Sequence, residues 1–218
     1  MNRLRRTLRR LRNPPVLRRD MRLLWTTLRL RLFSRSDTLR WADERELNPQ
    51  WDERAEIVAH HIPAGSRVLD FGAGRRSLER FLDPTCVYIP ADLVSRGPGT
   101  VVLDLNRRPL PDLHDLHANI AVFAGVLEYI RDVPSLVEWV SRQVPACLVS
   151  YQLAQPRTGA LRRWGRAVVG WVNAYSREEL QRLFEQGGFR CEIDTFGETS
   201  EGPEPILLFR RISDGPLL

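Results

Sequence analysis

The chain has 218 residues, of which 43% are hydrophobic and 28% are charged. This length suits one domain with a sizeable core, and the composition excludes a disordered chain or a fibrous repeat. No apolar stretch approaches the roughly 20 residues of a membrane-crossing helix. The three cysteines are too few and too scattered for a disulfide framework or a zinc site. We therefore expect a cytoplasmic protein that binds no metal.

Positive charge is concentrated in the first 40 residues. They contain 13 arginines and two aspartates, a net charge of +11, whereas the remaining residues carry a net charge of −5. Apolar residues recur at helical spacing in this segment: Met21, Leu24, Trp25, Leu28 and Leu32. The spacing predicts a basic amphipathic helix. We divide the chain into an arm (residues 1–44), a main domain (45–212) and a short tail (213–218).

Three roles for the arm agree with its charge. Residues 1–40 suit an anionic membrane surface, with the Leu and Trp side chains in the apolar layer and the arginines at the headgroups. They also suit the phosphates of RNA, or a segment that covers a ligand bound in the main domain. The acidic main domain and the lack of a recognisable nucleic-acid-binding module disfavour the nucleic-acid interpretation.

A helix is predicted over residues 50–61, and strands then alternate with helices along the main domain. The predicted strands span residues 67–71, 86–90, 100–103, 119–124, 146–151, 189–196 and 205–211. The predicted helices span residues 77–82 and 133–143, and a further one follows Ser176, which forms a capping box with Glu179. The alternation predicts an α/β fold, with a mostly parallel sheet and helices on both faces. Ligands bind such sheets at the carboxyl ends of the strands.

Chemically distinctive residues follow four of these strands. The run from Asp70 to Gly74, Asp-Phe-Gly-Ala-Gly, follows the first strand, and its glycines allow a sharp turn and a close approach of the backbone to a ligand. Asp92 follows the second strand, where a carboxylate can accept both hydrogen bonds of a ribose diol. The run Asp104-Leu-Asn106 follows the third strand, and Ala124-Gly125 ends the fourth. Together they predict a nucleoside-binding site.

In this order and spacing, the residues resemble those of class I S-adenosylmethionine-dependent methyltransferases. Residues 68–74 look like the family's first motif, Asp92 matches its ribose-binding acid, and residues 104–106 resemble its adenine-contacting segment. Residues 123–132 and 173–189 are similar to its segment after strand four and to its late helix and strand. The resemblance covers residues 45–212. It implies a Rossmann-like, seven-stranded sheet with a reversed last strand, and S-adenosylmethionine as the cofactor.

The resemblance also implies which residues contact the cofactor: Asp70, Gly72, Ala73, Gly74, Asp92, Leu93, Asp104, Leu105, Asn106, Ala124 and Gly125. Arg75 and Arg76 depart from the family's pattern, which often has a glycine at position 76. Two arginines there would crowd the methionine end of the cofactor or grip its carboxylate, so a domain that has lost activity stays an alternative. Residues 157–171, in which Arg and Trp recur, occupy the family's usual place for a substrate lid.

The sequence does not single out one catalytic residue. Methyl transfer depends largely on proximity and orientation, and a general base helps only some acceptors. Glu128, Tyr129 and Tyr175 are the candidates nearest the expected methyl position. The sequence thus predicts a methyltransferase for an unidentified small-molecule, glycan or lipid-linked acceptor. A nucleic-acid methyltransferase and a non-catalytic, methyltransferase-like binding module are the alternatives.

Overall fold

The computed structural model describes Met21, Trp25 and residues 36–154, 170–200 and 202–212. Most of the predicted arm, most of the predicted lid and the tail lie outside these residues. The predicted amphipathic helix and the boundary between arm and main domain therefore stay predictions.

Seven strands form one sheet: β1 (Arg67–Phe71), β2 (Val87–Asp92), β3 (Val101–Val102), β4 (Ile120–Ala124), β5 (Ala146–Ser150), β6 (Phe189–Thr199) and β7 (Gly202–Arg211). The strand order is β3-β2-β1-β4-β5-β7-β6. The pairs among β1 to β5 are parallel, whereas β7 runs antiparallel to both β5 and β6. The predicted seven-stranded sheet with a reversed last strand is confirmed.

Within residues 36–154, 170–200 and 202–212, four α-helices accompany the sheet: α1 (Thr38–Ala42), α2 (Trp51–Ala59), α3 (Val133–Gln143) and α4 (Arg177–Gln186). The bounds of α3 are those predicted, because Asp132 caps its first turn and Pro134 occupies a position at the helix start that requires no N–H donor. The capping box before α4 is also present, with Ser176 and Glu179 satisfying each other's main-chain N–H groups.

Two apolar layers cover the two faces of the sheet. Successive strand residues point to opposite faces, so Val68 packs against α2 on one side while Leu69 packs in the larger cluster on the other. That larger cluster contains the buried faces of α3 and α4, represented by Val140 and Phe184. The sheet therefore holds its strand ends rigidly between two packed layers.

The predicted helix over residues 77–82 is wrong. The structure has a single 3₁₀ turn there, Leu78–Arg80. The segment is too short to offset the cost of starting an α-helix, and Pro84 follows it closely. Within the described part of the chain, no helix has the length and the apolar character needed to span a bilayer.

Candidate active site

A cavity of about 520 Å³ opens at the carboxyl ends of the parallel strands. Nine of the eleven residues predicted to contact a cofactor line it: Gly72, Gly74, Asp92, Leu93, Asp104, Leu105, Asn106, Ala124 and Gly125. They follow β1, β2, β3 and β4, which are separate in sequence but adjacent in the sheet. The remaining wall comes from α1, α2 and the segments that follow β4 and β5.

The glycine turn after β1 is tied to β2. The N–H groups of Gly72 and Ala73 both donate to the carbonyl of Ala91, at 2.7 and 3.2 Å. Gly72 and Gly74 have φ values of +73° and +51°, a left-handed conformation that glycine adopts with little strain. A Cβ atom on Gly72 would lie 2.5 Å from Cγ2 of Val126. The turn therefore requires glycine at position 72 for conformation and for space.

Asp92 lies at the end of β2 with only 7% of its surface exposed. Its Oδ2 accepts hydrogen bonds from the Gly74 N–H (2.9 Å) and from Arg96 Nε (3.1 Å). Among the described residues, its Oδ1 makes only two long contacts, with Val94 N (3.4 Å) and Arg96 Nη2 (3.5 Å). Arg96 is itself fixed by a 2.6 Å hydrogen bond to the Trp41 carbonyl. Asp92 is thus held in place and keeps one oxygen with spare acceptor capacity.

Asp104 and Asn106 connect three segments beside the cavity. Asp104 accepts hydrogen bonds from the Ser36 hydroxyl (2.7 Å) and from the Asn106 N–H (2.9 Å). The Asn106 side chain donates to Ser36 Oγ and to the Tyr129 carbonyl, and its Oδ1 accepts from the Arg131 N–H. These hydrogen bonds therefore join the segment after β4 and the segment before α1 to the residues that follow β3.

Two residues predicted to contact a cofactor, Asp70 and Ala73, are not among those that line the cavity. The Asp70 carboxylate is buried and accepts a 2.7 Å hydrogen bond from the Tyr88 hydroxyl. Burial raises the pKa of Asp70 to about 7. Its buried position in β1 suits a role in supporting the glycine turn that follows.

A comparison with protein families gives a match to a methyltransferase domain over residues 17–192. The chain belongs to the methyltransferase domain family. None of the curated proteins matches the sequence. The predicted family is confirmed.

Solved methyltransferase structures share the fold. A putative methyltransferase of Haloferax volcanii, solved with the Trm112 activator, gives a TM-score of 0.63 at 12% identity, over 80% of this chain and 95% of that one. Human N-acetylserotonin methyltransferase gives a TM-score of 0.59 at 18% identity, over 94% of this chain and 69% of that one. The mitomycin 7-O-methyltransferase MmcR gives a TM-score of 0.58 at 21% identity, over 78% of this chain and 56% of that one. The chain spans only about half of MmcR, and 53% of the calicheamicin enzyme CalO1.

These likenesses confirm the Rossmann-like methyltransferase fold. The predicted cofactor agrees with the ligands in two of the structures, since the human enzyme was solved with S-adenosylmethionine and CalO1 with S-adenosylhomocysteine.

Glu128, in the 3₁₀ turn after β4 of this methyltransferase domain, lines the cavity and is only 1% exposed. Its Oε1 accepts a 2.8 Å hydrogen bond from the Gln152 N–H. Its Oε2 has no hydrogen-bond partner among the described residues. Burial raises the pKa of Glu128. A buried carboxylate oxygen without a partner is costly, so this atom suits a donor supplied by a ligand.

Of the two tyrosine candidates, the structure brings only one to the cavity. Tyr129 lines it, packs edge-on against Trp41 with ring centroids 5.1 Å apart, and has a pKa raised to about 12 by burial. Tyr175 is not among the lining residues; its N–H donates to the Tyr151 hydroxyl at 2.9 Å. Glu128 and Tyr129 thus remain candidates at the site, whereas Tyr175 lies apart from it.

Neither Arg75 nor Arg76 lines the cavity. Arg76 forms an ion pair with Glu79 (2.9 Å) and donates to the Pro98 carbonyl (3.1 Å). Its φ is +56°, which explains why the family often has glycine at this position. The structure does not support the expectation that these arginines crowd the cofactor.

A buried ion pair that was not predicted from the sequence joins the cavity residue Arg54 to Glu204 of β7. Arg54 Nε lies 2.8 Å from Oε1 of Glu204 in an ion pair, and the Glu204 carboxylate accepts hydrogen bonds from the Ser150 hydroxyl and from Gln152 Nε2. A glutamate shortly before the apolar run 206–209 of β7 was the signal for it in the sequence. Arg96 was also missed, although its i+4 spacing from Asp92 allows a local ion pair. Among the described residues, no cluster of His, Cys, Asp and Glu could hold a metal ion.

Proposed function

We propose that this protein is an S-adenosylmethionine-dependent methyltransferase that acts on a small-molecule acceptor. One observation carries the proposal: the glycine turn, Asp92 and Glu128, which has a buried carboxylate oxygen without a hydrogen-bond partner among the described residues, all line one cavity. Its volume of about 520 Å³ falls within the range of small-molecule sites.

The residues present fit the cofactor. Asp92 Oδ1 has acceptor capacity for a ribose hydroxyl, and Gly72 and Gly74 let the backbone line the cavity without a side chain. The segments at residues 104–106 and 124–125 would contact the rest of the nucleoside. In this proposal the nine lining residues predicted from the sequence hold the cofactor, while Asp70 and Ala73 support the turn.

When bound, S-adenosylmethionine supplies a methyl group on a positively charged sulfur. The protein's part is to orient the acceptor beside it and to keep water away, which the rings of Trp41 and Trp171 at the cavity wall favour. Glu128 Oε2 would accept a hydrogen bond, and then the proton, from the acceptor's attacking group. Tyr129, with its high pKa, stays neutral and acts as a hydrogen-bonding and packing residue.

The named activities of structural neighbours support a small acceptor. MmcR is a mitomycin 7-O-methyltransferase, and a Burkholderia thailandensis enzyme of the same fold methylates N1 of 1,6-didemethyltoxoflavin (TM-score 0.58, 16% identity, over 79% of this chain and 81% of that one). The Haloferax volcanii protein was solved with an activator protein, and a protein partner is therefore a second proposal for this chain. A glycan or lipid-linked acceptor remains within the proposal if its reactive end enters the cavity.

Calorimetric titration with S-adenosylmethionine and S-adenosylhomocysteine tests the cofactor site. We expect the wild type to bind both, and Asp92→Asn to bind them at least about tenfold more weakly, because a charged acceptor is lost. Asp115→Asn, which changes an exposed aspartate in a 3₁₀ turn, is the control and should bind like the wild type. A folded wild type that binds neither ligand would favour the non-catalytic alternative.

Residues 1–40 of the arm carry a net charge of +11. We propose that this charge places a cytoplasmic enzyme at an anionic membrane surface. Sedimentation with phosphatidylglycerol vesicles, compared with phosphatidylcholine vesicles, should pellet the wild type but not a variant with Arg18, Arg19 and Arg22 changed to Gln. Equal behaviour of the two proteins contradicts the proposal. Salt-sensitive binding to RNA instead of vesicles would favour the nucleic-acid alternative.

A further inference from the structure

Aromatic side chains line the part of the cavity that the predicted cofactor residues do not account for: Trp41, Trp51, Tyr129 and Trp171. Trp41 lies at their centre, 5.1 Å from Tyr129 and 6.2 Å from Trp51 between ring centroids. Trp171 forms a side-chain hydrogen bond with Tyr129. All four residues are neither fully buried nor fully exposed, and all four line the cavity. We call these residues the aromatic wall.

The buried carboxylate of Glu128 directly precedes Tyr129 in the chain and lines the same cavity. Its Oε2 accepts no hydrogen bond within the described part of the chain. The positive charge of Arg54 nearby is paired with Glu204 at 2.8 Å. Glu128 is therefore a hydrogen-bond acceptor that a ligand can satisfy.

We propose that the acceptor is a planar aromatic molecule with a hydroxyl or N–H group, its ring on the aromatic wall and its donor on Glu128 Oε2. This inference rests on the proposed function and names the substrate class of the same site. Aromatic rings attract one another in stacked or edge-on arrangements and lose little freedom when they bind. A donor on the ring removes the cost of the unpartnered oxygen.

Two other ligand classes fit less well. A cationic amine would also be attracted to aromatic rings, but the Arg40 guanidinium already lies over Trp41, 4.6 Å from the ring centroid. A sugar needs many polar partners. The polar groups of Asn106 near the aromatic wall already bond to Ser36, Tyr129 and Arg131.

The test compares matched probes on the full-length protein loaded with S-adenosylhomocysteine. The probes are 2-naphthol, 2-methoxynaphthalene, which lacks the donor, and 2-decalol, which lacks the aromatic ring; benzyltrimethylammonium represents cations. Equilibrium dialysis measures binding without turnover. We expect 2-naphthol to bind at least about tenfold more tightly than each of the other three.

Variants at the cavity wall separate the contribution of the hydrogen-bond donor from that of the aromatic ring. Glu128→Gln should reduce the preference for 2-naphthol over 2-methoxynaphthalene, and Trp171→Leu should reduce the preference for 2-naphthol over 2-decalol. Trp25→Leu, at a site 70% exposed and absent from the cavity wall, should change neither. Titration of each variant with S-adenosylhomocysteine alone verifies the cofactor site.

The outcomes separate the two proposals. A wild type that does not bind S-adenosylhomocysteine contradicts the proposed function. A wild type that binds it, but binds 2-decalol or benzyltrimethylammonium as tightly as 2-naphthol, overturns the aromatic acceptor and leaves the proposed function standing. The probe comparison needs only the wild type, so the result does not depend on whether a variant folds.

Discussion

Gly72 packs so closely against Val126 that a Cβ atom at position 72 would lie 2.5 Å from Val126 Cγ2. This contact joins the turn after β1 to the segment after β4. Because valine is stiff about its first side-chain torsion, Val126 cannot easily move aside. The contact fixes the distance between the glycine turn and the segment that carries Glu128.

Gly72→Ala should therefore destabilise the protein more than Gly65→Ala. Gly65 has nearly the same φ, +74° against +73°, but nothing lies within 4 Å of a Cβ placed on it. Both variants should lose about 1 kcal/mol to the left-handed conformation, and Gly72→Ala about 1–3 kcal/mol more to overpacking. Urea denaturation measures both losses. Val126→Ala in the Gly72→Ala background should recover part of the loss, and equal losses at positions 65 and 72 would contradict this account.

Arg76 offers a test of backbone strain free of side-chain effects. Arg76→Ala and Arg76→Gly both remove the ion pair with Glu79 and the hydrogen bond to Pro98, but only glycine relieves the strain at a φ of +56°. We expect the glycine variant to be more stable than the alanine variant by about 1 kcal/mol. Both should bind S-adenosylhomocysteine as the wild type does, since Arg76 does not line the cavity. Tighter binding by either variant would show that Arg76 does obstruct the cofactor.

The parts of the fold that the sequence predicted have strong local signals. The capping box at Ser176 and the Asp132 cap before α3 mark helix starts by hydrogen bonds between residues three apart. That the residues proposed to hold the cofactor line one cavity was predictable for a similar reason. Its residues follow directly after apolar strands, and Asp92 and the two glycines each occupy such a position.

The part of the cavity proposed to bind the acceptor has no local signals in the sequence. Arg54 and Glu204 lie near opposite ends of the main domain and meet only because β7 inserts antiparallel beside β5. Trp41 falls within a segment whose composition indicates only a basic arm. The two-residue β3 and the 3₁₀ turn at Leu78–Arg80 depend on packing that no periodicity reveals.

The buried carboxyl group of Asp70 should make the stability of the protein depend on pH. Burial raises its pKa in the folded state from 3.8 to about 7, so the folded protein binds a proton that the unfolded chain has released. The resulting stabilisation is fully present below pH 3.8, and it is lost as the pH rises towards about 7. The loss amounts to roughly 4 kcal/mol if the whole shift applies.

Asp70→Asn should remove this dependence. The neutral amide can still accept a hydrogen bond from the Tyr88 hydroxyl, now 2.7 Å from the carboxylate. Between pH 5 and pH 8 the urea midpoint of the wild type should fall more than that of the variant, and at pH 8 the variant should be the more stable protein. Asp115→Asn, at an exposed site, should follow the wild type. Parallel pH curves for wild type and Asp70→Asn would show that Asp70 is already ionised at pH 5.

The buried pair of Arg54 and Glu204 should respond differently to single and double substitution. Glu204 is 2% exposed and the Arg54 side chain 15%, so Glu204→Gln leaves a positive charge with little solvent to compensate it. We expect this variant to lose about 3–5 kcal/mol, and the double variant Arg54→Met with Glu204→Gln to lose less, because it removes the uncompensated charge.

The exposed pair of Arg142 and Glu138 is the matched control, since its atoms lie 2.9 Å apart but the side chains are 58% and 70% exposed. Glu138→Gln should have little effect, because solvent screens an exposed pair and compensates the remaining charge. Urea denaturation of the wild type and of the three variants gives the comparison. If Glu204→Gln costs no more than Glu138→Gln, the Arg54 charge is satisfied by another group, and the next residue to test is Glu128, whose pKa Arg54 lowers through its positive charge.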